Sequence, residues 1–219
     1  MEELEPTTMV NSNHPEVRGF AARHSSKTAS HIDNAVALYY AVRDGFRYDP
    51  YSIDLSEKGL SATHVLESGR GWCINKAVLL AACCRSIGIA ARLGYADVRN
   101  HLSTERMRKH MGTDLFIWHG YTSILLNGEW LKATPAFNVE LCEKFRLKPL
   151  EFTGRDDSIY HPYDLDGHQH MEYVKFRGEY ADVPLDLIIQ DMAQHYPQMT
   201  GMVSGGDFEQ EVTKETSQP

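Results

Sequence analysis

The spacing of apolar and polar residues predicts several helices. Apolar side chains recur every three to four positions over residues 31–46, 61–67 and 185–195, which is the period of one helix face. Residues 73–88 differ, because apolar and small side chains occur nearly all round the predicted helix and Gly88 supplies a stop signal. We therefore expect this helix to be buried.

An antiparallel hairpin is the clearest local signal in the sequence. Two extended stretches within 115–137 flank the Asn-Gly pair at 127–128, the dipeptide most typical of a two-residue hairpin turn. This turn fixes the register, so that Tyr121 lies opposite Thr134 and His119 lies one pair further along that face. Because strand side chains alternate between faces, Thr134 is expected on the same face as His119 and diagonal to it.

The remaining segments are less regular. A strand is predicted at 89–96, and strand character returns at 174–176. Between them lie a basic, polar insertion at 97–114, in which a helix can start from Ser103, and a loop-rich stretch at 138–173. The chain thus combines helices with extended segments, and it contains no internal repeat.

Length, composition and charge fit one soluble globular domain. The chain has 219 residues, of which 42% are hydrophobic and 24% charged. We assign the domain to 13–200 and expect mobile polar ends at 1–12 and 201–219. The two ends carry most of the net charge of -8, so the body is nearly neutral, which argues against nucleic acid and anionic membranes as partners. The chain start lacks signal-sequence features and no apolar run approaches a membrane span, so the cytoplasm is the expected location.

The four cysteines are expected to be free thiols, because their spacing matches no metal motif and no secretory signal is present. Cys73 lies where the buried helix begins, and unpaired N–H groups there favour the reactive thiolate. The alternative is that Cys73 is a small buried apolar residue, as free cysteines usually are. Cys83 and Cys84 in mid-helix fit core packing, and Cys142 lies in a polar context.

A cysteine nucleophile needs an imidazole base, and His119 is the best candidate because strand alternation fixes its direction. The alternative is a structural, hydrogen-bonded histidine. The backbone N–H of Cys73 can stabilise an oxyanion, and Trp72 can add its indole N–H or can simply pack. Tyr121 fits a packing role in the sheet as well as a place in a substrate cleft.

Two stretches carry a resemblance to a known family. Residues 71–92, GWCINKAVLLAACCRSIGIAAR, resemble the active-site stretch of the transglutaminase-like superfamily, in which Gly-x-Cys opens an alanine-rich helix that leads to Arg-x-x-Gly-Ile-x-Ala-Arg. Residues 118–135, WHGYTSILLNGEWLKATP, resemble its histidine strand, turn, Gly-x-Trp and Asp-Pro strand, and the Phe-Arg-Tyr at 46–48 resembles an upstream element. The resemblance covers about residues 30–138 and is to the stand-alone bacterial type.

This resemblance implies an α+β, papain-like core, with the nucleophile at a helix start packed on an antiparallel sheet. It implies that Cys73 and His119 perform acyl transfer on an amide through a thioester, without a cofactor or a metal. Members of the superfamily crosslink glutamine to amines, cleave peptides or remove glycans from asparagine. The expected partner is therefore an amide-containing small molecule, peptide or protein, while the oligomeric state stays open.

The sequence departs from the family at the third catalytic position, where Thr134 stands in place of the aspartate before proline. A threonine hydroxyl can accept a hydrogen bond from the imidazole but carries no charge. Other candidates for the orienting group are Asn138, Asp97, Asp114 and Asp166. The alternative function is a catalytically weakened module that binds a peptide or another ligand on the same fold.

Further residues are predicted to line the cleft. Arg99 and other basic residues of the 97–114 insertion can face an anionic substrate group, although a solvated helix face is the simpler interpretation. Asp166 and His168 belong to a cluster of histidines and aspartates at 161–170. Its spacing matches no familiar metal site, so we expect a loop that folds over the cleft.

Overall fold

A computed structural model describes residues 1–100, 103–159, 165, 167, 171–197 and 206–216. In this part of the chain, helices pack on one four-stranded antiparallel sheet, which confirms the predicted α+β fold. None of the described helices is long and apolar enough to cross a membrane. The helices are α1 (Pro15–Arg23), α2 (His31–Gly45), α3 (Ala62–Ser68), α4 (Cys73–Ser86), α5 (Glu105–Met111), α6 (Val139–Lys144), α7 (Leu185–His195) and α8 (Phe208–Thr216), and the strands are β1 (Arg47–Tyr48), β2 (Arg70–Gly71), β3 (Ala91–Asn100), β4 (Leu115–Leu126), β5 (Glu129–Ala133) and β6 (Met171–Tyr180).

The hairpin of β4 and β5 has the predicted register. Its pairs run from Leu126 and Glu129 at the turn to Thr122 and Ala133. Both turn residues have positive φ, 51° and 88°, as a two-residue hairpin turn of this type requires. The ladder ends at Ala133, so the further pairs that the turn predicts, including that of Thr134, are not formed.

The sheet has the strand order β5-β4-β3-β6, with β4 and β3 at its centre. Strands β3 and β6 are longer than the predicted segments at 89–96 and 174–176. Bulges interrupt the pairing of β3 with both of its neighbours, and they break the period-two pattern by which strands are recognised. Helix α6 lies in the stretch that was predicted to be rich in loops. It has only six residues and is too short to show a helical period.

Helix α4 is the centre of the core. Every side chain from Cys73 to Arg85 is buried, which confirms the predicted buried helix. Lys76 is the one ammonium group on α4, and its Nζ donates to the carbonyls of Arg43 at 2.8 Å and Phe46 at 2.7 Å. Burial lowers the pKa of Lys76 to about 7. These bonds satisfy carbonyls at the end of α2 that have no helical partner, and they fix α4 to α2.

The two ends of the chain differ from the expected mobile tails. Met9 and Val10 near the start are buried in the core. Helix α8 buries Phe208 and Val212. Its acidic residues also form ion pairs with basic residues of the domain, namely Arg47 and Lys144 with Glu209, Arg106 with Glu211, and Arg108 with Glu215. The apolar residues in these acidic segments explain the difference, because their burial offsets the loss of chain entropy.

Candidate active site

Cys73 lies at the first position of α4 and is only 6% exposed. Burial raises the pKa of its thiol to about 11, although the backbone N–H groups of Gly120, Ile74 and Cys73 point toward the sulfur and favour the thiolate. The helix start therefore favours the thiolate, but its effect is smaller than that of burial. Desolvation of a buried sulfur outweighs the helix terminus here.

The other cysteines are further from ionisation than Cys73. All four cysteines are free and buried. The sequence predicted that they are free thiols. Burial raises the pKa of Cys84 and of Cys142 to about 12 and that of Cys83 well above its ordinary value. Cys73 is thus the thiol that loses its proton most readily.

Strand β4 brings the histidine to this thiol. Gly120 crosses the start of α4 so closely that a Cβ atom on it would lie 3.0 Å from the Cα of Ile74. His119, the preceding residue, is 6% exposed and lines the same cavity as Cys73. Its ring also lies edge-on to Tyr173, with ring centroids 6.5 Å apart. The structure therefore brings Cys73 and His119 to one place.

A β-bulge directly precedes His119. Ala96 pairs with His119, but the next residue of β3, Asp97, faces two residues of β4, Ile117 and Trp118. Trp118 has a φ of 60°, and its N–H donates to Asp97 Oδ1 at 3.2 Å. A bulge re-aims the side chains that follow it, so this one sets the direction of His119.

A partly buried ion network supports the bulge. Arg177 donates to both Asp97 and Asp191, and its guanidinium lies 4.7 Å from the ring centroid of Trp118. Asp191 also accepts a hydrogen bond of 2.9 Å from the indole of Trp118. Asp97, which the sequence offered as an orienting group for His119, thus holds the backbone before His119 and makes no hydrogen bond to its ring. Sequence reasoning missed this network because bulges leave no pattern.

Thr134 does not make the predicted hydrogen bond. Its hydroxyl is buried and has no hydrogen-bond partner among the described residues. Because β5 ends at Ala133, Thr134 turns toward Ser158, to whose carbonyl its N–H donates at 3.0 Å. Its own carbonyl accepts from the hydroxyl of Tyr39 at 3.3 Å. The sequence register was correct only as far as the last pair of the ladder.

The other candidates for the orienting group have different partners. Asn138 accepts from the N–H of Tyr48 at 3.1 Å and donates to Glu140 at 2.8 Å, so its amide links β1 to α6. Asp114 lies 3.7 Å from Arg99 in an ion pair whose members are both about half exposed. Neither of these two side chains orients His119. Asp166 and His168 lie outside the described residues.

Two predicted cleft residues lie elsewhere. The ring of Tyr121 covers Gly94 so closely that a Cβ atom there would lie 2.1 Å from it. Tyr121 also contacts Phe176 edge-on, which agrees with a packing role in the sheet. Arg99 does not line the cavity that Cys73 and His119 share, and its charge is matched by Asp114.

Trp72 is the remaining predicted site residue, and it lines the cavity beside Cys73. It is 5% exposed, and its indole N–H has no hydrogen-bond partner among the described residues. A buried donor without a partner costs about 1–3 kcal/mol. Such a group in a cavity wall next to a thiol is available to a ligand oxygen.

No metal site is present in the described ranges, where no group of three or more histidine, cysteine or acidic side chains lies close enough to bind an ion. The cluster at 161–170 lies almost wholly outside these ranges.

Comparison with known proteins identifies the family. The profile of the Transglutaminase-like superfamily matches residues 18–135, and the chain belongs to this superfamily. The α+β fold described above is accordingly its papain-like core. Membership and the Cys73–His119 pair support cysteine-based hydrolase or transferase chemistry in general.

Two solved structures are similar to parts of the chain. One is a candidate cysteine protease from Cytophaga hutchinsonii, with 18% identity and a TM-score of 0.47 over 61% of this chain and 40% of that one. The other is a candidate protease from Parabacteroides distasonis, with 16% identity and a TM-score of 0.39 over 54% of this chain and 23% of that one. The chain thus spans less than half of either protein. A comparison with curated protein sequences gave no significant match.

Proposed function

We propose that this protein transfers an acyl group from an amide to Cys73 and then to water or an amine. The observation that carries the proposal is that Cys73 and His119 line one cavity while β4 directs the Gly120 N–H at the sulfur. In the first step the Cys73 sulfur attacks the carbonyl carbon, the sulfur–carbon bond forms and the carbon–nitrogen bond breaks. The thiol proton passes to His119 and then to the leaving amine.

His119 has to take the proton during the attack. Because burial raises the pKa of Cys73 to about 11, the resting site holds a neutral thiol rather than a preformed ion pair. General-base catalysis by a positioned imidazole is compatible with a neutral resting thiol. Binding of a substrate carbonyl next to the sulfur then favours loss of the thiol proton, since the negative charge moves from the sulfur to the carbonyl oxygen.

In the proposed reaction, two donors stabilise that oxygen. The backbone N–H of Cys73 lies at the start of α4, where it has no helical acceptor. The indole N–H of Trp72 is buried without a partner in the same cavity wall. A pair of fixed donors in a dry cavity is the usual form of an oxyanion hole.

A binding module is the second candidate function. The observation that favours it is Thr134, which replaces the family aspartate and whose hydroxyl makes no hydrogen bond among the described residues. Without a carboxylate at this position an imidazolium at His119 is less stable. Such a module would bind an amide in the cavity but would not form a thioester.

The release of p-nitrophenolate from p-nitrophenyl acetate separates the two functions. We expect a burst of about one equivalent of product in the native protein and its loss in Cys73→Ser. His119→Ala should slow the burst by about two orders of magnitude or more. Cys83→Ser, which changes a buried thiol in the middle of the same helix, is the matched control and should retain the burst. A native protein without a burst, or a burst that Cys73→Ser keeps, would contradict the proposed function.

A further inference from the structure

The cavity that Cys73 and His119 share is largely apolar, and we call it the chamber. Its volume is about 60 Å³, and besides Trp72 and Cys73 its wall is formed by residues of β1, β3, β4, β6, α5 and α7 and of the segments that follow β1, β5 and α7. Four of the eight methionines of the chain contribute to its wall, namely Met107, Met111, Met171 and Met192. No lysine, arginine, aspartate or glutamate side chain of the described residues lines it.

The charged side chains of α5 do not line this chamber. Met107 and Met111 are the buried residues of α5, one turn apart on the same face. The basic residues of α5 pair instead with acidic groups, Arg106 with Glu211 at 3.0 Å and Lys109 with Glu105 at 2.7 Å. The basic insertion that the sequence offered as an anion site therefore presents apolar side chains to the reacting cysteine.

The chamber sets the size and chemistry of the group that fits it. Each water-sized group needs roughly 10–15 Å³ of such space, so the chamber holds about four to six groups of methylene size, the reacting carbonyl group included. Methionine side chains are flexible and adapt to the shape of an apolar ligand. A charged group would lose its hydration there, and none of the described lysine, arginine, aspartate or glutamate side chains lines the chamber to pair with it.

We propose that this chamber binds the acyl side of the substrate, and that the protein prefers acyl groups with an uncharged aliphatic chain of about four carbon atoms. This inference rests on the proposed function, since it names the substrate class of the same cysteine. Met192, on α7, and Met111, on α5, then act as specificity-determining residues, because both line the chamber on elements that carry neither Cys73 nor His119.

A series of p-nitrophenyl esters from acetate to octanoate, with the singly charged succinate ester, tests the proposal. In each reaction the Cys73 sulfur bonds to the carbonyl carbon, p-nitrophenolate leaves, and the thiol proton passes to His119. We expect the acylation rate to rise about fourfold for each added methylene group until the chamber is full, and then to fall. The succinate ester should react at least about tenfold more slowly than the neutral ester of equal length.

A filling variant tests the location. Met192→Trp should lower the ratio of the hexanoate rate to the acetate rate by about tenfold or more, since the chain loses most of its space. Leu187→Trp, at a position of the same helix that is 49% exposed, should leave the ratio unchanged. Circular dichroism shows whether each variant is folded. The chain-length series is measured on the native protein, so it does not depend on the folding of a variant.

The outcomes are distinct. If no ester acylates Cys73, the proposed function fails and the substrate class falls with it. If Cys73 is acylated at rates independent of chain length, or the succinate ester reacts as fast as its neutral counterpart, the chamber proposal is overturned while the proposed function stands. A rising series that a folded Met192→Trp leaves unchanged also overturns it.

Discussion

Gly120 and Ile74 are in direct backbone contact, and this contact joins the histidine strand to the cysteine helix. A Cβ atom on Gly120 would lie 3.0 Å from the Cα of Ile74 and 3.2 Å from its nitrogen. Cys73 and His119 are the chain neighbours of these two residues. The spacing of Cys73 and His119 therefore depends on a position at which an added Cβ atom has little room.

We expect Gly120→Ala to separate the catalytic pair. The added methyl group pushes β4 away from α4, which should lower the rate of Cys73 acylation by about tenfold or more and the free energy of unfolding by about 1–3 kcal/mol. Burst kinetics and urea unfolding measure the two effects. Gly45→Ala is the control, because nothing lies within 4 Å of a Cβ atom there. Native acylation in Gly120→Ala would show that this contact does not position the pair.

The pH dependence of alkylation should report a neutral thiol at rest. With a pKa of about 11, only about one Cys73 thiol in ten thousand is ionised at pH 7. Because the thiolate is the reactive form, the rate with iodoacetamide should rise steadily with pH from neutrality toward 11. Peptide mapping should find Cys73 modified before the other three cysteines. A rate that is already constant at pH 7 would instead indicate a preformed thiolate–imidazolium pair.

Trp72→Phe should reduce catalysis without loss of stability. Its indole N–H makes no hydrogen bond among the described residues, so its removal breaks no hydrogen bond of the folded protein. Loss of an oxyanion donor typically slows the chemical step by about 10²–10³-fold. The matched control is Trp118→Phe, which removes a hydrogen bond to Asp191 and should lower the free energy of unfolding by about 1–3 kcal/mol. Equal acylation rates in Trp72→Phe and the native protein would leave Trp72 with a packing role only.

Thr134→Val should have little effect on acylation. The Thr134 hydroxyl is buried and unbonded among the described residues, so its removal should change the rate less than about twofold and leave stability equal or slightly higher. Thr122→Val is the control, because its hydroxyl donates to the carbonyl of Ala77 at 2.9 Å. That variant should lose about 1 kcal/mol of stability. A tenfold slower acylation in Thr134→Val would return Thr134 to the mechanism.

The elements with strong local patterns could be predicted from the sequence. The apolar helix α4, the hairpin turn and its register, and the positions of Cys73 and His119 on these elements all follow from local rules. The two stretches that resemble the superfamily lie on these elements, and the family profile covers both.

The surroundings of the site could not be predicted in the same way. The sequence shows that Cys73 starts a helix, which favours the thiolate, but the burial that raises the pKa of its thiol is a property of the whole fold. The position of Thr134 depends on where β5 ends, and the ladder stops one residue before it. The methionine chamber joins residues from Tyr48 to Tyr196 that lie far apart in the chain, so no local pattern predicts it.

Peptide mass spectrometry of the acylated protein tests the central claim most directly. The protein reacts briefly with p-nitrophenyl acetate, and acid stops the reaction. The peptide that contains Cys73 should then carry one acetyl group, and hydroxylamine should remove it, as expected for a thioester. The same label should be absent from the peptides of Cys83, Cys84 and Cys142. An acetyl group on Cys83, Cys84 or Cys142 instead of Cys73, or a Cys73 peptide that stays unmodified, would contradict acyl transfer by Cys73.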